Sequence, residues 1–214
     1  MRSFLQLEHH QNEELPEPFR SDDVRYPAEL VRVFLDEYTR PGDTVLDPFA
    51  GFGTTLLAAE GMGRQGYGVE LDAAKVDYVR SRMSHPQRLR QGDARRLASI
   101  GLPTCEFCMT SPPFMNLDEE NDPLSDYTRG GRGYPAYLRE LGEIFAQVQQ
   151  LLKPGGRVVV EVANLKMYGR ITTLAWDVAQ RVSQVLHFEG EVVIGWDHYR
   201  YGYDHSYCLV YSAI

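Results

Sequence analysis

Cysteine, long apolar runs and positive charge are all scarce in this 214-residue chain. Three cysteines, Cys105, Cys108 and Cys208, make an odd and sparse set, which excludes a disulfide-stapled scaffold and fits a reducing, cytoplasmic location. Cys105-Glu-Phe-Cys108 has the spacing of half a metal site, but no second pair accompanies it. On a regular strand, positions i and i+3 face opposite sides, so these read as buried thiols and no metal is expected. No apolar run approaches the roughly 20 residues that cross a bilayer, so no membrane partner is expected. The stretch Met1 to Phe19 is polar and does not read as a secretory leader. Lys and Arg number 22 against 30 Asp and Glu, a formal charge of −8. Such a body opposes non-specific binding to phosphate polymers, which comes from cations. A nucleic-acid enzyme with this balance needs a local basic face, a short substrate or a partner.

What is present is a strand–helix alternation. Residues 1–20 lack a clear period and read as a partly ordered N-terminal arm; 21–214 read as one domain. Pro27 suits the first turn of a helix through Leu30, Val31, Phe34 and Leu35. Strands are expected at Thr44–Leu46, Tyr67–Leu71, Leu89–Gly92, Cys105–Met109, Arg157–Val162, Glu191–Trp196 and Tyr207–Tyr211. Helices are expected near Leu56–Glu60 and Asp72–Met83, and on the apolar stripes Tyr137–Leu152 and Ile171–Leu186. Repeated alternation demands a mostly parallel sheet covered on both faces, and the short last connection suits an antiparallel pair.

Asp47-Pro-Phe-Ala-Gly-Phe-Gly-Thr-Thr55 follows the first of these strands. Such a glycine turn lets a ligand approach the backbone and meet a positive helix end. The third glycine of a dinucleotide fingerprint is missing, since Leu56 stands in its place, and no lysine follows to cradle phosphate. Asp47 at the strand tip repels a pyrophosphate and suits a cationic ligand. Glu70, 23 residues later, sits where an acid bonds ribose hydroxyls, and Asp93 in Gly92-Asp-Ala94 suits an adenine amino group. An adenosine carrying an ammonium and a sulfonium fits the set.

Thr110-Ser-Pro-Pro-Phe114 follows the fourth expected strand. Two prolines fix the backbone and lack N–H groups, so carbonyls there face a ligand without internal partners. The Ser111 hydroxyl and a proline-segment carbonyl suit the N–H protons of an exocyclic amino group, and Phe114 suits stacking on a base.

With these motifs the chain resembles the S-adenosylmethionine-dependent amino-methyltransferases acting on N4 of cytosine or N6 of adenine, from about Tyr26 to Tyr211. Arg25-Tyr-Pro-Ala-Glu-Leu-Val31 resembles the stretch that closes over the methionine end, Gly68-Val-Glu-Leu-Asp72 the ribose strand, and His205-Ser-Tyr-Cys-Leu-Val-Tyr211 the terminal strand. The resemblance implies an α/β, class I methyltransferase-like doubly wound sheet of seven strands, mostly parallel with a reversed final strand. It implies that S-adenosyl-L-methionine is held by Tyr26, Pro27, Asp47, Phe49, Gly51, Gly53, Thr54, Glu70, Asp93, Ala94 and Thr110. Ser111, Pro112, Pro113 and Phe114 would then be the catalytic set. Serine in the first catalytic position leans towards cytosine N4 in DNA. Adenine N6, structured RNA and a non-catalytic donor-binding subunit are the alternatives. Many serine-type relatives place the catalytic motif before the donor motif, whereas here the donor motif comes first. No segment reads as a separate target-recognition domain, and the oligomeric state is not legible.

Two loops are expected to flank the pocket. Met115–Tyr134 starts acidic, with Asp118, Glu119, Glu120 and Asp122, and reads as a lid. Trp196–Tyr207 holds Trp196, His198, Tyr199, Arg200, Tyr201, Tyr203 and His205, either a stacking surface or hairpin packing. Arg80, Arg82, Arg88, Arg90, Arg95 and Arg96 form a basic cluster suited to phosphates or to a solvated face.

Overall fold

The computed structural model describes residues 2–11, 13–17, 19–127, 129–167, 169–198 and 202–213. In chain order the elements are β1 (Phe4–Leu7), α1 (Ala28–Tyr38), β2 (Thr44–Asp47), α2 (Thr54–Gly61), β3 (Gln65–Glu70), α3 (Ala73–Arg80), β4 (Leu89–Gln91) and α4 (Leu97–Ile100). There follow β5 (Cys105–Thr110), α5 (Tyr134–Leu151), β6 (Leu152–Val162), β7 (Leu165–Met167), β8 (Arg170–Thr172), α6 (Leu174–Val182), β9 (His187–Trp196) and β10 (His205–Ser212).

The main sheet runs β1-β9-β10-β6-β5-β2-β3-β4. Its neighbours pair in parallel except around β10, which is antiparallel to both β6 and β9. The expected doubly wound sheet with a reversed final strand is therefore present. It has eight strands in place of seven. The extra one comes from the stretch read as an arm: Phe4–Leu7 lies parallel to Val193–Trp196. Leu5 and Leu7 pack on the core.

Burial follows the sequence pattern. All four residues of β2 are buried, as a central parallel strand requires. On one face α5 and α6 bury Tyr137, Leu141, Ile144, Phe145, Val148, Leu174 and Val178 against Leu46, Cys108, Val158 and Val160. On the other, α1 and α2 bury Leu30, Phe34 and Ala58 against Val45, Phe107 and Val159.

One local expectation changes: Ile171 belongs to a two-stranded hairpin, β7–β8, and not to the helix after it. Lys153–Gly156, which follows the end of α5, is drawn into β6, opposite a register irregularity between Cys105 and Phe107. Cys105 and Cys108 pack in one hydrophobic cluster. Both thiols are buried and free, and burial pushes Cys105 up to about 12. Among the described residues no group of three His, Cys, Asp or Glu is placed to hold a metal.

Candidate active site

A cleft of about 590 Å³ opens at the carboxyl ends of β2, β3 and β5, the end of such sheets where ligands bind. Its size suits a drug-sized or nucleoside ligand. The turn between β2 and α2 forms the floor. Gly53, before α2, has φ 78°, and a Cβ there would meet Val79 Cγ1 at 2.5 Å, so a side chain is excluded both by the backbone and by α3. Gly51, at φ 52°, donates its N–H to Glu70 Oε2 at 2.7 Å, while Asp72 N–H donates to the other oxygen at 2.9 Å. Glu70 thus ties the glycine turn to the tip of β3. Burial raises its pKa.

Asp47 is 2% exposed and accepts from Thr110 Oγ1 at 2.7 Å and from Phe49 N–H at 3.0 Å. Burial pushes its carboxyl up to about 6, even though bonds from Thr110, Phe49, Thr55 and Tyr26 pull the other way. The buried Tyr26 hydroxyl bonds Thr55 Oγ1; burial and the neighbouring Asp47 hold its pKa well above the usual range.

The Thr110–Asp47 bond joins two motifs that stand 63 residues apart in sequence. Pairing of Val45 with Phe107 and Leu46 with Cys108 sets β5 beside β2. Ser111, Pro112, Pro113 and Phe114 consequently line the same cleft as Asp47, Phe49, Gly51 and Glu70. Ser111 Oγ donates to Glu161 Oε2 at 3.0 Å, and Glu161 is only 4% exposed. Tyr137 OH donates to the Pro113 carbonyl at 2.9 Å and Tyr127 OH to the Phe114 carbonyl at 2.6 Å. Among the described residues no hydrogen bond reaches the Pro112 carbonyl. The corner is therefore clamped through two carbonyls, leaving a third carbonyl and the Ser111 lone pairs to accept.

Tyr26, Thr54 and Ala94 also line the cleft, whereas Pro27, Gly53, Asp93 and Thr110 do not. Pro27 precedes the first turn of α1, Gly53 shapes the floor from beneath, and Thr110 serves Asp47. Asp93 is taken up elsewhere: it accepts from Arg95 N–H at 2.9 Å and from the Arg95 guanidinium at 2.7 Å. Burial pushes its pKa up, but these bonds and the Arg95 charge outweigh it and leave the carboxyl below its ordinary value.

Sequence reasoning missed Glu161, Tyr137, Lys75 and Leu124. Glu161 had a signal, a lone acid at the carboxyl end of the run Arg157-Val-Val-Val-Glu-Val162. Pro123, Leu124, Asp126 and Tyr127 bring the loop expected as a lid over the cleft. Lys75 lies 3.6 Å from Asp126, and Arg95 lies 3.1 Å from Asp122, so the loop is pinned on both sides. In the second loop Trp196 is buried, with its indole N–H on Ser206 Oγ at 2.9 Å; Tyr199, Arg200 and Tyr201 lie outside the described residues. Of the arginine cluster, Arg80 bonds the Leu89 carbonyl, Arg88 bonds Gln65, and Arg82 pairs with Glu13.

The fold defines a class I methyltransferase-like domain. TrmN from Thermus thermophilus superposes with a TM-score of 0.64 at 20% identity, covering 92% of this chain and 52% of that one. Residues 3–81 match the family described as DNA methylase (N6_N4_Mtase). A type II methyltransferase of Methanothermobacter thermautotrophicus, M.MthZI, is 44% identical over 64 residues, 30% of this chain and 18% of that protein. M.BglII of Bacillus subtilis, another type II methyltransferase, is 33% identical over 75 residues, 35% of this chain and 19% of that protein. The aligned segments thus span about a fifth of those relatives' length. Thr110–Phe114 lies beyond the family match, and its role rests on geometry.

Proposed function

We propose that this chain transfers the methyl group of S-adenosyl-L-methionine to an exocyclic amino group of a nucleic-acid base, with N4 of cytosine in DNA the leading target. The observation that carries the reading is the Ser111–Glu161 bond at 3.0 Å, beside an open Pro112 carbonyl and in the same cleft as Asp47 and Glu70.

The cleft fits the donor. Acids stand at the tips of β2 and β3, Phe49, Val69 and Leu124 offer apolar walls, and Gly51 opens the backbone. Glu70 suits ribose hydroxyls, and Asp47 suits the cationic methionine end. When bound, the donor supplies a methyl group activated by a sulfonium.

A base amino group is a poor nucleophile because its lone pair is conjugated into the ring. Ser111 and Pro112 counter this. By giving its own hydrogen to Glu161, the Ser111 hydroxyl keeps its lone pairs for an N–H of the target. The Pro112 carbonyl takes the second N–H. Two such bonds favour a pyramidal nitrogen whose lone pair is free to attack. Ser111 and Glu161 then form a route for the proton that the nitrogen sheds. Phe114 stacks on the base, a contact worth roughly 1–3 kcal/mol.

Serine at this corner favours cytosine within the resemblance, while adenine offers the same amino geometry. Motifs intact at both ends of the cleft favour an enzyme over a passive donor-binding subunit. The test is to incubate the protein with methyl-labelled donor and with single-stranded DNA, duplex DNA or total RNA, then digest to nucleosides. N4-methylcytosine from DNA is expected. N6-methyladenine or a methylated ribonucleoside would redirect the target, and no methylated base from any polymer would reject the reading.

A further inference from the structure

A second surface begins where the acceptor corner ends. Thr110 pairs with Val160, and Glu161 pairs with Cys208, so Ser111 stands about two strand spacings, roughly 10 Å, from Cys208, and the first residues of β10 lie just beyond it. Four rings touch in a row there. Trp176, in the first turn of α6, packs on Tyr207 at 4.8 Å between centroids; Tyr207 meets His205 at 5.3 Å, and His205 meets Tyr203 at 5.3 Å. A contact of 3.0 Å between His205 Nε2 and the Tyr207 hydroxyl fixes the order. Trp176 nevertheless remains 48% exposed.

The β7–β8 hairpin joins this row to the corner. Asn116 Nδ2 reaches Met167 Sδ at 3.4 Å, and Leu117 N–H donates to Thr172 Oγ1 at 3.2 Å. On its other side Gly202 lies so close that a Cβ would stand 2.8 Å from the Lys166 carbonyl. Leu117 and Ile171 are 46% and 54% exposed. A strip of exposed aliphatic and aromatic groups therefore runs outward from Ser111–Phe114.

We propose that this strip binds an unpaired polynucleotide strand, with the bases beside the target stacking on Trp176 and its ring row. The proposal rests on the reading that the cleft methylates a base, and adds the form in which that base arrives. Charge decides between unpaired strand and duplex. Duplex affinity comes largely from cations on phosphates, and the hairpin's Arg170 is already 2.8 Å from Asp118. The whole chain carries −8. Base stacking on rings needs no net positive charge and tolerates any base sequence.

The chain has two tryptophans, and Trp196 is 4% exposed, so a fluorescence response to added strand reads Trp176. The experiment titrates the protein with a short thymine oligodeoxynucleotide, its ribose counterpart and a duplex of equal length. Single strands are expected to quench the emission and to bind more tightly than duplex; comparing the deoxy and ribo arms identifies the strand's sugar. Trp176→Ala is expected to weaken single-strand binding roughly tenfold or more. Trp176→Phe keeps a ring and is expected to bind within a few-fold of wild type while losing the response. Donor affinity, unchanged in both variants, reports intact folding. Duplex binding as tight as single strand, no single-strand binding at all, or an unaffected Trp176→Ala with donor binding intact would each overturn the strip. Absence of donor binding in the wild type would instead reject the cleft reading, whatever the strand does.

Discussion

Burying Asp47 lifts its carboxyl from 3.8 to about 6, so the folded protein holds that proton more tightly than the unfolded chain does. The resulting stabilisation is complete below about pH 4 and is lost as the pH rises through about 6, to a limit of about 3 kcal/mol. Asp47→Asn removes this titration. Its urea stability relative to wild type is expected to rise across that pH window, while donor affinity falls by roughly 10-fold or more with loss of the charged acceptor. A flat stability difference from pH 4 to 7 would contradict the burial argument. Gly53→Ala is strained by its backbone and collides with Val79, and is expected to cost about 1–3 kcal/mol in the same assay. Asp47, Glu70 and Ser111 were legible as residues of one cleft because chemistry and turn residues coincide at strand tips. Glu161 was not, because only the three-dimensional pairing of β5 with β6 brings an acid from a valine run beside a serine 50 residues earlier.

At the scale of elements, the central strands and α5 were legible because parallel burial makes apolar runs and a packed helix makes a stripe. The β7–β8 hairpin was hidden: each strand has three residues, and Ile171 points to solvent yet mimics the first apolar position of the following helix. β1 was hidden because a four-residue edge strand is too short to show a period of its own. The loop after the acceptor corner was legible as a long, acidic lid, but the residues that hold it down were not. Its residues Asp126 and Tyr127 both have φ 55°, the left-handed region, and are held there by Lys75 and by the Phe114 carbonyl. Tyr127→Phe removes one tether at a stability cost of about 0.5–1.5 kcal/mol. Stopped-flow release of the demethylated donor is expected to quicken several-fold in this variant; unchanged release would show that the loop does not gate the cleft.

For the molecule as a whole, a charge of −8 limits how much binding energy phosphates supply. Single-strand affinity is expected to fall only shallowly with salt, with a logarithmic slope no steeper than about −2, corresponding to two or three neutralised phosphates. A slope near −6 would contradict this and point to a basic track. The sheet order then explains why distant motifs meet: β2, β5 and β6 lie side by side, so Asp47, the serine corner and its buried glutamate converge at one end. The most direct test of that convergence is the single-turnover methylation rate of Ser111→Ala, measured beside its donor dissociation constant. A rate loss of roughly 10²-fold or more is expected, by the scale of removing one transition-state hydrogen bond, with donor affinity unchanged. Equal losses in rate and donor affinity, or a rate kept near wild type, would contradict it.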